Sequence, residues 1–245
     1  MLEELHLFNK QISIQGINFY VYNKNTFLVS SDNPLKVLSS AVLGGNLRQA
    51  YHIINHSVNK NYNGSDPEQD LRQVAEGLNL GHDVVGMMTA VNVTHTVLSC
   101  GSQKGLAVAA LCTVGVSNPG VAGVPTAKLQ RNIQPGTINT ILLIEGNLSV
   151  PAMVNAVITA TEAKTRALFK SKISLLDGEC ITGTTSDAIV VSCTGRGELQ
   201  HYAGTATDLG YLIGRTVYNA ISQGVDDYIS YNEGLNLENK IDFLN

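Results

Sequence analysis

Apolar and polar positions repeat at two periods along this chain, and the stretch from Gly136 to Cys193 shows both. Ile138–Ile144 and Ala188–Val191 are short runs rich in Ile, Leu and Val, as expected of strands covered on both faces. Between them, three stripes follow helical spacing. Val154, Val157, Ile158, Thr161, Thr165 and Leu168 form an apolar stripe, and Ala156, Ala160, Ala163 and Ala167 form a stripe small enough for close packing. Asn155, Thr159, Glu162 and Arg166 form a polar one. With two faces fit for burial, the polar stripe is either turned toward a pocket or exposed with a Glu162–Arg166 pair spaced i, i+4.

The rest of the chain is read in the same way. Ile12, Ile14, Phe19 and Val21, then Asn23-Lys24-Asn25 and Thr26–Val29, predict an antiparallel hairpin. Leu38–Gly45 reads as a strand closing on two glycines. Leu47 to about Val58 reads as a helix capped by Asn46, with Ala50, Ile53, Ile54 and Val58 on one side. Asp66-Pro67-Glu68-Gln69 starts another helix, ending near Gly77 or Gly81. Strands are predicted over Asp83–Ala90, His95–Leu98 and Leu106–Val116, the last two antiparallel about Gly101–Gly105. A final helix runs from about Ala206 to Ser222, where Gly210 and Gly214 allow another element to approach. The tail over 224–245 has weak periodicity, and its Asn-rich end (Asn232, Asn236, Asn239, Asn245) is expected to be poorly ordered.

No repeat or low-complexity linker interrupts the 245 residues, so a single domain over 1–245 is expected, with a hairpin-rich start over 1–35. The pattern predicts an α+β class: one layered domain of mixed or antiparallel sheets covered by helices. The net charge of −4, with no Lys/Arg run, argues against a nucleic-acid surface. The 6% aromatic content without Trp argues against a stacking platform for single strands. Cys100, Cys112, Cys180 and Cys193 show no C-x-x-C spacing and read as reduced thiols. With no signal-peptide pattern at the start, these point to the cytoplasm. Gly105–Ala127 is uncharged and long enough to span a membrane. Its glycines, Pro119 and Pro125 make it a buried strand followed by a loop instead.

Several segments carry candidate chemistry. Gly44-Gly45 ahead of a predicted helix offers bare backbone N–H groups, although such pairs are common in loops. His52 and His56 are spaced i, i+4, a metal-binding spacing on a helix, but no third ligand accompanies them and no metal site is assigned. Thr182-Gly183-Thr184-Thr185-Ser186-Asp187 is either a hydroxyl-rich cluster beside a ligand or a turn bonding its own backbone. Asn118 lies in a turn where its amide could donate to an oxyanion.

In order along the chain, LSSAVLGGN, IINHSV, GMMTAVNV, CTVGVSNPG, GTINTILLI, AMVNAVITATEAKTRAL, TGTTSDAIVVSC and YAGTATDLGYLIGRTVYNA resemble the blocks of the CbiZ family of adenosylcobinamide amidohydrolases. The resemblance covers about residues 36–220, and its TEAK and GTxxD elements are the specific ones. It implies an enzyme of corrinoid salvage that cleaves the amide joining adenosylcobinamide to its aminopropanol arm, giving adenosylcobyric acid and 1-amino-2-propanol. The cobalt would belong to that small-molecule substrate, and no cofactor of the protein is implied. A fainter similarity of element order links the chain to the DmpA-type aminopeptidases and ornithine acetyltransferases, which have α/β/β/α layers. It carries over the architecture alone, since no block here matches their self-cleaving nucleophile. A non-catalytic corrinoid carrier and an aminopeptidase or acyltransferase on that layered fold are the alternative functions.

Amide hydrolysis needs a nucleophile, an oxyanion donor and an acid for the leaving amine. With no G-x-S-x-G elbow, attack by water is favoured over attack by a Thr hydroxyl. Glu162 is the first candidate base, with Asp187 and His56 as alternatives. Asn118 and backbone N–H groups near Gly183 are the oxyanion donors. Gly44, Gly45, Asn55, Thr89, Asn155, Thr159, Thr182, Gly183, Thr184 and Thr185 are candidates for holding the substrate. Lys164 lies off the polar stripe and is unexplained by it, unless it pairs with a carboxylate elsewhere. The last helix leaves room for a homo-oligomer interface.

Overall fold

A computed structural model describes residues 2–125, 136–175 and 178–242. It contains strands β1 (Leu2–Glu4), β2 (Ile17–Tyr22), β3 (Thr26–Ser39), β4 (Leu47–Ser57), β5 (Val84–Thr89), β6 (Val97–Gln103) and β7 (Leu106–Val114). These are followed by β8 (Pro119–Gly120), β9 (Ile138–Glu145), β10 (Asn147–Leu148), β11 (Gly183–Thr184), β12 (Ala188–Cys193) and β13 (Leu199–Gln200). The helices are α1 (His6–Gln11), α2 (Pro67–Gly77), α3 (Val150–Lys170) and α4 (Asp208–Asp242). Nine strands form one mixed sheet in the order β1-β2-β3-β12-β9-β7-β6, with β4 joined to β3 and β5 beyond it.

The sheet folds over itself because β3 serves two layers. Its first half pairs with β2 and its second half with β12, while β4 follows it along both. The register shifts between Ser30 and Leu35, so that Ser31–Pro34 stand opposite Tyr51 alone. The turned sheet encloses a core of Phe19, Phe27, Val37, Ile53, Met87, Leu111, Ile141 and Leu143. Outside β4 and β5, α2 covers Ile54 and Val84 with Leu71 and Ala75. Outside β7, β9 and β12, α3 and α4 cover Val108, Leu142 and Val191. The order of layers is therefore helix, sheet, sheet, helix, a single α+β domain as the pattern predicted.

The parallel pair β9 and β12, with α3 between them in sequence, is the predicted central unit. The Ser149 hydroxyl accepts from the Ala152 N–H to start α3, and Asp66 accepts from the Gln69 N–H to start α2. The β2–β3 and β6–β7 hairpins are present, turning at Asn23-Lys24 and Lys104-Gly105; β6 begins two residues later than expected, with His95 in a 3-10 turn before it, and extends through Gly101. No described helix is long and apolar enough to cross a membrane.

Three expectations change. Residues 47–57 are the strand β4, central between β3 and β5, and not a helix. Both faces of β4 are covered, so neighbouring Ile53 and Ile54 are both buried, and with Ala50 they mimic helical i, i+3, i+4 spacing. Leu38–Gly45 is strand only as far as Ser39; beyond it a tight loop carries Leu43 to an isolated bridge with Gly86. The tail does not end the last helix near Ser222: α4 continues through Asn232, Asn236 and Asn239 to Asp242, and Asn245 lies outside the described residues.

The start of α4 sets one stability prediction. A Cβ on Gly210 would overlap the carbonyl oxygen of Gly204, a backbone atom with little freedom to move. Gly210→Ala should cost about 1–3 kcal/mol, lowering the melting temperature by roughly 2–4 °C for each kcal/mol. A Cβ on Gly214 meets only Thr159 Cγ2 at 3.8 Å, an ordinary contact, so Gly214→Ala should leave the melting temperature near wild type. A thermal melt of the two variants checks both.

Candidate active site

The signature blocks converge where β9 and β12 begin. Asp187 stands one residue before β12, and its Oδ1 accepts from the Ile138 N–H at 3.1 Å, the Thr184 N–H at 3.1 Å and the Thr184 hydroxyl. Its Oδ2 accepts from Lys164 Nζ of α3. The pair is mostly enclosed, with side-chain exposures of 15% for Lys164 and 18% for Asp187. Lys164, which the polar stripe left unexplained, is thus the helix's link to the GTxxD element. Gly183 is small for the same reason: a Cβ there would overlap Asp187 Oδ2 and stand 2.8 Å from Lys164 Nζ. Ile138, Thr140, Thr161 and Ile189 join the pair in lining a cavity of about 200 Å³.

The neighbouring strands fix this corner. β8 pairs with β11, setting Pro119 opposite Thr184 and Gly120 opposite Gly183. Asn118 Nδ2 donates to Thr185 Oγ1 at 2.5 Å, and the Thr185 N–H donates to the Asn118 carbonyl at 3.2 Å. Asn118 Oδ1 is buried with no hydrogen-bond partner among the described residues. Thr182 Oγ1 accepts from the Ala122 N–H at 2.9 Å, and its carbonyl accepts from the Thr165 hydroxyl at 3.2 Å. The polar run 182–187 therefore binds its own backbone and, in addition, lines a cavity through Asp187.

A second polar group lies between the two layers of the folded sheet. Asn139 Nδ2 donates to Asn55 Oδ1 and to the Met88 carbonyl, both at 2.8 Å, and Asn55 Nδ2 donates to Thr113 Oγ1 at 3.0 Å. Thr137 Oγ1 donates to the Ser186 carbonyl at 2.8 Å. These groups brace Ile138 and Asp187 from the core side. Asn139, Thr113 and Thr137 were missed in the sequence, and the pairing of Lys164 with a carboxylate was raised without naming Asp187. The signal available was the polar pair Asn139-Thr140 inside an otherwise apolar strand.

Other expected site residues lie elsewhere. Glu162 is exposed on the outside of α3, in a shallow groove. Lys164 is two positions further along, roughly 200° of helical turn, so the two point away from each other. The predicted convergence of Glu162 with Asp187 does not occur. The polar stripe instead runs along α4 and the loop before it. The Thr159 hydroxyl, buried, donates to the Ala203 carbonyl at 2.9 Å, Asn155 Oδ1 accepts from the Ala203 N–H at 3.5 Å, and the Arg166 guanidinium lies 4.6 Å from the centre of the Tyr218 ring. Thr89 is buried and accepts from the Val91 N–H.

His56 faces the α2 side of β4, across the inner core from Lys164. Its Nδ1 is 2.8 Å from Thr26 Oγ1, and it lines a separate cavity of about 500 Å³ with Tyr62 and Asp70. Burial lowers the pKa of both His52 and His56. On a strand, their i, i+4 spacing sets them about 13 Å apart, too far to share a metal ion. No cluster of three His, Cys, Asp or Glu suited to a metal occurs among the described residues. Gly44 and Gly45 precede a strand, so no helix N-terminus accompanies them. A Cβ on Gly45 would overlap the Ala41 carbonyl oxygen, which accounts for that glycine by packing.

Comparison with known proteins agrees with these blocks. The family model described as adenosylcobinamide amidohydrolase matches residues 10–233. The chain is 29% identical over 216 residues to an adenosylcobinamide amidohydrolase of Methanosarcina mazei, covering 84% of this chain and 97% of that one. It is 32% identical over 162 residues to a protein of the same name from Halobacterium salinarum, covering 63% and 64% of the two chains. An uncharacterized protein of Methanocaldococcus jannaschii is 25% identical over 238 residues. With the match spanning every block that builds the Lys164–Asp187 corner, the chain belongs to the adenosylcobinamide amidohydrolase family.

Proposed function

We propose that this protein hydrolyses the amide joining adenosylcobinamide to its aminopropanol arm, releasing adenosylcobyric acid and 1-amino-2-propanol. Membership of the family makes it a hydrolase of an amide bond. The observation that carries the local chemistry is the Lys164–Asp187 pair at a cavity of about 200 Å³. That volume lies below the roughly 300–1,000 Å³ of sites that enclose a whole drug-sized ligand. It suits a side arm of the corrinoid and not its ring.

In this reading water attacks the amide carbon. Asp187 Oδ1 already accepts from three donors, whereas among the described residues Oδ2 accepts from Lys164 alone and keeps a lone pair for a proton from water. Lys164 donates to the developing oxyanion and then protonates the leaving amine, so the carbon–nitrogen bond breaks with release of neutral aminopropanol, and the proton that Asp187 took from water passes to Lys164 to restore the pair. Thr184 orients Asp187 through its hydroxyl. The cobalt travels with the substrate, and no cofactor is assigned to the protein.

Incubation with adenosylcobinamide, followed by chromatography of the corrinoids and amines, tests the reading. The expected result is adenosylcobyric acid and 1-amino-2-propanol in equal amounts. Binding without release of amine would make the protein a carrier. Turnover of small amides with adenosylcobinamide untouched would make it a peptidase or acyltransferase. A covalent adduct on Thr184 or Thr185, seen by mass spectrometry after rapid quenching, would replace water by a hydroxyl nucleophile.

A further inference from the structure

We propose that the open apolar groove on the outer face of α3 is the seat of the corrin ring, with the scissile arm turned inward to Lys164 and Asp187. The proposal rests on the amidohydrolase reading and assigns the part of the substrate that the small cavity cannot hold. The groove, about 600 Å³, is lined by Val157, Ile158, Thr161, Thr165 and Phe169 with Glu162 and Arg166 at hand. Thr161 lines both the groove and the cavity that holds Asp187, so the two lie side by side with that residue as their common wall. Thr165, hydrogen-bonded to the Thr182 carbonyl, brings the GTT segment to the same rim.

The helix itself calls for an occupant. Its Ala stripe is buried against the sheet, as the spacing predicted. Its apolar stripe is covered only in part: Leu168 is buried, but Val154 is 46% and Ile158 is 50% exposed, and Phe169 beside the stripe is 66% exposed. Large apolar side chains collected on one rim of a cavity mark a binding surface more often than scattered single ones do. The corrin ring is broad, has methyl groups on its edge and carries amide arms. Its apolar surface matches Ile158 and Phe169, and its amide N–H groups can donate to the hydroxyl oxygens of Thr161 and Thr165, whose own hydrogens are bonded to the Val157 and Thr182 carbonyls. Ile158 and Lys164 are separated by about 9 Å along the helix axis, a span that an extended side arm covers.

The test is Ile158→Glu, with Phe169→Ser as a second variant at a more exposed position, compared with wild type in adenosylcobinamide turnover and equilibrium binding. Both variants should melt near wild type. Both should raise KM and the dissociation constant for adenosylcobinamide by about tenfold or more, with kcat changing less than KM. Leu199→Ser, an equally exposed apolar position outside the groove, should leave both constants unchanged. Constants within about twofold of wild type in the two groove variants would overturn the proposal while leaving the amidohydrolase reading intact. So would a wild-type dimer, measured by light scattering, that Ile158→Glu converts to monomer, because a second copy would then cover the groove. A wild type that binds adenosylcobinamide without hydrolysing it, and loses binding in both variants, would instead uphold the groove and overturn the amidohydrolase reading.

Discussion

Asp187→Asn should lower the turnover of adenosylcobinamide by about 100- to 10,000-fold, the range for loss of a positioned acid or base. The change is nearly isosteric. The Asn Oδ1 can still accept from the Ile138 and Thr184 N–H groups, so the turn before β12 keeps its backbone anchors. What disappears is the acceptor at Oδ2, replaced by an amide NH₂ that faces the Lys164 ammonium, donor against donor. Lys164 then sits without its counter-charge. Breaking a fully buried pair costs about 3–5 kcal/mol, and the partial exposure of this one reduces the cost. Stability and chemistry can be separated. The double variant Asp187→Asn, Lys164→Met removes the stranded charge and should recover melting temperature without recovering turnover. Single-variant turnover within tenfold of wild type would show that the proton goes elsewhere.

The parts of the fold legible in the sequence were those whose pattern had one reading. Apart from Asn139-Thr140, Glu145 and Ser192, β9 and β12 are apolar because helices cover one face and the inner core the other, and α2 announced itself through Asp66 and Pro67. β4 had two readings. Its buried pair Ile53-Ile54 fits a strand covered twice as well as one turn of a helix, and the partner that decides, β5, lies some thirty residues on in the chain. The site failed in a similar way. Helical periodicity grouped Glu162 with Thr159 and Asn155, but grouping says nothing about which neighbour a stripe meets. The stripe met α4, and the residue it had excluded, Lys164, met Asp187. Periodicity describes faces, and only tertiary packing assigns them partners.

The glycine of the GTxxD element yields the second large effect, and one that separates chemistry from folding. Gly183→Ala should cut turnover by about 10- to 100-fold while shifting the melting temperature by only a few degrees. Gly183 has no positive φ, so its backbone accepts a side chain without strain. The new Cβ would intrude on two flexible tips, Asp187 Oδ2 and Lys164 Nζ. Asp187 cannot retreat far, since three donors hold its Oδ1. Lys164 can swing away on its long stem. The ammonium is then displaced from the carboxylate by about an ångström or more, and a misplacement of that size is enough to cost about 100-fold. The chain would fold, the pair would part, and hydrolysis would slow. A contrasting result, full turnover with the pair displaced, would mean that Lys164 only supports the corner and that the leaving amine takes its proton from another group. Measuring kcat and the thermal midpoint on one preparation distinguishes the two.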